Sequence, residues 1–171
     1  MTVKVTSERL TLRELTPDDA EFVFNLYNSP EFLQFIGDKQ LHSRETAKLY
    51  IENVQIPQYQ NPGIGMWAIE LKESQKVIGV CGLVNREEID GFDIGYALLK
   101  PFTGKGYASE AVDVVMKWAK TVRNMQEIFA VVQKDNAMSI RLLENKDFHR
   151  INERRLSNGD LVQVYVKNLD L

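Results

Sequence analysis

From Gly106 to Val122 the chain carries Ala111, Val112, Val115, Trp118, Ala119 and Val122 at helical spacing. Residues three and four apart share one helix face, so this run predicts a helix with one apolar side. On either side lies a short apolar stretch, "FDIGYALL" before it and "EIFAVVQ" after it, each strand-like in length and composition. A helix between two strands is read as a right-handed crossover, which lets the strands lie parallel. This unit constrains the fold more than any other part of the chain.

The remaining sequence surrounds it with antiparallel signals. "RLTLREL" (9–15) alternates as a first strand, with Leu10, Leu12 and Glu14 on one face. In "TPDDAEFVFNLYNS", Thr16 can cap a helix, Pro17 suits its first position, and Asp18 and Asp19 complement its positive end. Phe22, Val23 and Leu26 form its apolar stripe, and Pro30 is expected to end it. Ser43 begins a second helix that runs through Ile51, after which Pro57 and Pro62 are expected to break the chain. "MWAIEL", "KVIGVCGLVN" and "FDIGYALL" read as the second, third and fourth strands, and "EIFAVVQ" as the fifth. Asp135 or Asn136 caps a short helix over "AMSIRLLENK", and two strands close the chain around "SNGD". The expected order is β-α-α-β-β-β-α-β-α-β-β, in a single domain over residues 1–171.

With 26% charged residues and a net charge of −3, the chain lacks the basic patches that nucleic acid or an anionic membrane would attract. The first residues lack the apolar core of a signal peptide, and no apolar run is long enough to span a bilayer. The one cysteine, Cys81, rules out an internal disulfide and reads as a buried strand residue. His42 and His149 stand alone, so no metal site is expected. A cytoplasmic location is expected, without nucleic-acid or membrane partners, as a monomer or homodimer.

Two glycines, Gly104 and Gly106, flank Lys105 where the long helix begins. Unpaired backbone N–H groups and the helix dipole make such a terminus an anion site, and bare glycines let an anion approach the amides. The plainer reading is a helix-initiating turn that needs glycine only to bend. A kinase-type phosphate loop is excluded, since Lys105 precedes Gly106, and so is a dinucleotide fingerprint, since no G-x-G-x-x-G is present.

Three stretches, "SERLTLRELTPDDAEFVFNLYNSPEF", "IGYALLKPFTGKGYASEAV" and "NAMSIRLLENKDF", follow one another in this order. Together they resemble the GNAT superfamily of acyl-CoA-dependent N-acetyltransferases. The branch they are most similar to is the Rim type, which acetylates ribosomal-protein N-termini. The resemblance implies an α+β (α/β) GNAT fold with a mixed sheet of about seven strands, helices on both faces, and a splayed parallel pair at the fourth and fifth strands. It implies acetyl-CoA as co-substrate, bound by Thr103, Gly104, Lys105, Gly106, Tyr107, Ala108 and Ser109 at the pyrophosphate and by Leu98 and Leu99 along the pantetheine. Asn136 would bind near the thioester arm, and Lys105 or Arg141 would add charge at a phosphate. For Leu98 and Leu99 the claim concerns the backbone, because their side chains also suit core packing. Asn136 also suits a plain helix cap.

The sequence departs from the family where catalysis is concerned. Thr103 stands where Gln or Arg is usual, and the approach from Pro101 to Gly104 looks one residue short. Leu143, seven residues after Asn136, occupies the place of a tyrosine acid. Val131, five residues before Asn136, occupies the place of a glutamate base found in some Rim-type members. The expected reaction is direct attack of a neutral amine on the thioester, with release of the thiolate. Ser139 is the substitute acid and Asp93 the preferred base, with Glu87 and Glu88 as alternatives. Each also fits an ordinary structural or solvated role. The acceptor is a small-molecule amine or a protein N-terminus. The alternative is a GNAT-like module that binds acyl-CoA as a sensor or assembly partner and has lost catalysis.

Overall fold

The run after the glycine pair is a helix, Tyr107–Thr121, and the strands flanking it lie parallel, in a computed structural model that describes residues 2–169. Eight strands form one sheet: β1 (Lys4–Thr6), β2 (Leu10–Glu14), β3 (Gly65–Leu71), β4 (Val77–Asn85), β5 (Phe92–Leu98), β6 (Glu127–Val132), β7 (His149–Arg155) and β8 (Leu161–Asn168). Their spatial order is β1-β2-β3-β4-β5-β6-β8-β7, antiparallel throughout except for β5 beside β6. The expected strand count is one short. β1 has three residues, none fully buried, and carries no periodicity long enough to read.

The helices are α1 (Ala20–Tyr27), α2 (Pro30–Phe35), α3 (Arg44–Tyr50), α4 (Ile56–Gln58), α5 (Tyr107–Thr121) and α6 (Ala137–Asn145). Ser43 caps α3 by accepting from the Thr46 amide, and the Asn136 side chain caps α6 from the Ser139 amide. Two prolines act differently from expectation. α1 already ends at Tyr27, and Pro30 starts α2, where its missing amide is not needed. Pro57 does not end the second helix, because a π turn over Ile51–Gln55 joins α3 to α4. There the Ile56 amide reaches the Ile51 carbonyl, and the wider turn absorbs a residue that cannot join a regular ladder.

The sheet is covered on both faces. One core joins Leu10, Leu12, Trp67, Ile69 and Ile94 to Val112, Val115 and Trp118 of α5, with Trp67 and Trp118 meeting edge to face at 5.0 Å. The other joins Val23, Leu26 and Tyr27 of α1 and Ala47 and Ile51 of the second helix to Ala68 and Val80. Burying a valine fully contributes about 1.5–3 kcal/mol, well above any difference in helix propensity, so packing of one face holds α5. Val122, expected in that stripe, lies past the helix end and is 62% exposed. Asp19 does more than complement a helix end. It is buried, accepts the Thr16 amide at 2.8 Å and takes both Arg13 terminal nitrogens at 2.8 and 2.9 Å.

Candidate active site

β5 and β6 meet at Asp93 and Phe129 and pair no further, while β5 stays registered with β4 as far as Leu98. A cavity of about 720 Å³ follows this parting. It runs from the start of α5 to the helices α1–α3. Of the residues expected at the site, Asp93, Leu98, Thr103, Gly104, Gly106, Tyr107, Ala108, Ser109, Asn136 and Ser139 line it.

At one end Gly104 and Gly106 have φ of +75° and +83°, left-handed values that favour glycine. Gly106 is the N-cap of α5 and no side chain caps the helix, so the first-turn amides of Tyr107, Ala108 and Ser109 are bare toward the cavity. This end fits the diphosphate of coenzyme A through backbone donors and the helix dipole. Thr103 turns its hydroxyl back to the Lys100 carbonyl at 2.7 Å, so it braces the loop. Lys105 and Arg141 do not line the cavity. The Lys105 carbonyl instead accepts Arg9 Nη1 at 3.0 Å. Arg9 also pairs with Glu110 through Nε at 2.8 Å and lies over the Tyr107 ring at 4.3 Å. Glu110 accepts the Ser7 hydroxyl and the Arg9 amide as well, at 2.5 and 2.8 Å, and thereby ties the N-terminal segment to the first turn of α5. Nothing local to the glycine loop announces Arg9, which lies 96 residues from Lys105.

The two leucines expected along the pantetheine differ in what their backbones leave free. The Leu99 amide donates to the Ile78 carbonyl and its carbonyl accepts the Phe102 amide, so Leu99 has no free backbone for an added strand. Alternation along an antiparallel ladder turns the Leu98 and Tyr96 amides to the opposite edge, toward the gap.

Asn136 lies beside the gap at the start of α6, and Ser139 stands one turn on. Ser139 Oγ is 2.5 Å from the hydroxyl of Tyr96, a β5 residue with no assigned role in the sequence. Tyr96 and Asp93 sit on opposite faces of β5 by period two, yet both reach the cavity, because it opens at the strand's free edge. Burial pushes the Tyr96 phenol up to about 12, with the Ser139 hydrogen bond pulling the other way. The residues at the two departures offer no acid or base. Leu143 is 1% exposed in the core and Val131 lines the cavity as a hydrocarbon.

Asp93 is 1% exposed. Its Oδ2 accepts Arg86 Nε at 3.1 Å, and its Oδ1 has no partner. Burial raises its carboxyl to about 6, with Arg86 opposing. Glu88 accepts the Ser157 amide at 2.6 Å, which holds its carboxyl below the usual range. Neither Glu88 nor Glu87 lines the cavity, which leaves Asp93 as the placed carboxylate of the three. Cys81 is fully buried, and burial pushes its thiol up, away from a reactive thiolate.

Residues 9–149 match the acetyltransferase (GNAT) domain. The chain is 29% identical over 167 residues to the "Uncharacterized N-acetyltransferase p20" of Bacillus licheniformis, covering 95% of this chain and 93% of that protein. A GNAT-family acetyltransferase from Bacillus anthracis shares the fold with a TM-score of 0.80 at 19% identity, over 99% of this chain and 100% of that one. The ribosomal-protein-S5-alanine acetyltransferase of Vibrio fischeri does so with a TM-score of 0.80 at 20% identity, over 98% and 97%. The domain match, and a sheet that parts beside a bare helix terminus, lead to one conclusion: the chain belongs to the GNAT acetyltransferase family and is an N-acetyltransferase that moves an acetyl group to an amine.

Proposed function

We propose that acetyl-CoA is the donor and that the acceptor is a primary amine, a protein N-terminal α-amine or a small molecule, held beside Asp93. The observation that supports this most is a buried carboxylate with one unpaired oxygen in the same cavity as the bare start of α5. Acetyl-CoA supplies an activated thioester. Gly104, Gly106 and the first amides of α5 hold its diphosphate, and the Leu98 amide steadies the pantetheine.

Asp93 Oδ1 accepts a proton from the incoming amine, and Arg86, bonded to Oδ2, favours the ionised form that acts as the base. An α-amine, with pKa near 8, is about a tenth neutral at pH 7, whereas a lysine-like amine is less than about 0.1% neutral. A carboxylate near 6 therefore suits the α-amine better. Either hydroxyl of the Tyr96–Ser139 pair can donate; with Tyr96 as the donor, the Ser139 proton is left for the departing sulfur. With Tyr96 near 12 and a thiol near 8.5, full proton transfer is uphill, so this pair contributes a hydrogen bond and water delivers the final proton. The Rim-type branch agrees with a fold shared with a ribosomal-protein-alanine acetyltransferase.

A panel of amines and peptides scored by thiol release from acetyl-CoA tests the reading. Turnover with α-amines above lysine-like amines is expected. Tight CoA binding without release on any amine would favour a CoA-binding sensor, the function that Leu143 and Val131 permit.

A further inference from the structure

Asp93 shares its cavity with two cations from separate loops. Arg86 follows β4 and Lys39 lies between α2 and α3, and both line the cavity. Arg86 reaches Asp93 through Nε, at 3.1 Å from Oδ2. A guanidinium carries five N–H donors in one plane. Those on the terminal nitrogens of Arg86 meet no hydrogen-bond partner among the described residues, and its side chain is 36% exposed. Burial and then the charge of Arg86 lower the Lys39 ammonium from its ordinary value, and no acid among the described residues offsets them.

The acids around these two cations are engaged elsewhere. Glu88, which feels Arg86, accepts the Ser157 amide at 2.6 Å. Asp160 accepts Asn158 Nδ2 at 3.1 Å, and Glu31 lies 3.8 Å from Lys100 Nζ. Like charges held together out of water cost free energy, and an anion that joins them recovers it. Covalent geometry fixes where that anion belongs. The terminal nitrogens of Arg86 are one carbon away from the Nε that touches Asp93. In an α-amino acid, amine and carboxylate hang on one carbon. Its amine can therefore face Asp93 Oδ1 while its carboxylate takes the free nitrogens of the guanidinium fork. An amine without an acid leaves those donors unpaired, and a polyamine adds a third cation to them.

We propose that Arg86 and Lys39 form an anion subsite next to Asp93, and that it selects a small acceptor with a carboxylate beside its amine, an α-amino acid. This rests on the reading that the acceptor amine is held beside Asp93.

Calorimetric titration of CoA-loaded protein with alanine and with alaninamide tests it, since the two differ in charge but hardly in size. Alanine should bind about tenfold more tightly, the worth of one charge-assisted hydrogen bond, and added salt should narrow the ratio. The ratio should fall severalfold in Lys39→Gln, which keeps the Arg86–Asp93 pair, and toward one in Arg86→Gln. A CoA-induced rise in Tm confirms that each variant is folded. Equal binding of alanine and alaninamide, or a ratio unchanged in both variants, overturns the inference. An alanyl-aspartate amide, whose carboxylate lies on its second residue, serves as the third ligand. If it binds more tightly than alanine, the anion belongs to a peptide and the amino-acid reading fails. Absence of turnover on every amine would strike the proposed reaction alone, because the carboxylate preference is read from binding.

Discussion

Ser139 Oγ and the Tyr96 hydroxyl oxygen stand 2.5 Å apart at the gap between β5 and β6, although they lie 43 residues apart in the chain. The strand supplies a buried phenol and the start of α6 supplies an alcohol. Ser139→Ala should lower kcat about a hundredfold, the usual effect of losing one preorganised donor to developing charge. Tyr96→Phe should lower it about tenfold, since Ser139 keeps its own proton but loses its partner. Steady-state thiol release checks both, and wild-type rates would remove the pair from the mechanism.

Asp93 sets a pH signature. Below the amine's own pKa the rate on an α-amine should rise tenfold per pH unit, because only neutral amine attacks. Below about 6 the slope should become two, as Asp93 also gains a proton. Asp93→Asn should lower kcat/KM and restore a slope of one, read from a pH series on one amine.

The same residue affects stability with a definite sign. Folded Asp93 titrates near 6, above an unfolded aspartate near 3.9, so between those values the folded state holds more protons. Stability therefore falls as pH rises through this window, by up to about 3 kcal/mol. Denaturant unfolding of Asp93→Asn across pH 4 to 7 should lose that decline.

Arg9, which does not line the cavity, holds the Lys105 carbonyl and Glu110 together. Arg9→Ala should weaken CoA binding severalfold, read as a smaller CoA-induced rise in Tm. Arg9→Lys should recover little, because a point charge cannot make both directed bonds.

Gly63 is required by the core. Its φ is +78°, and an added Cβ would lie 2.0 Å from the Trp118 ring. Gly63→Ala should cost about 3 kcal/mol from overpacking and strain together, measured by denaturant unfolding. That corresponds to a fall in Tm of roughly 6–12 °C for a chain of this size.

The crossover from β5 through α5 to β6, the glycine loop and the α6 cap were legible in the sequence, because each is written in neighbouring residues. Periodicity shows α5, a glycine pair shows the bare helix start, and Asn136 followed by Ser139 shows the cap. Even the position of Asp93 on the Gly95 and Ala97 face follows from counting by two. What only the tertiary structure decided depends on distant partners. The Leu99 amide was consumed by Ile78, Arg9 reached Lys105 from the turn between β1 and β2, Tyr96 met Ser139 across the strand gap, and the π turn before Pro57 brought Gln55 to Tyr27. Local pattern specifies which face a residue occupies. Only chain closure specifies which hydrogen-bond groups remain unpaired, and those groups define what this cavity can hold.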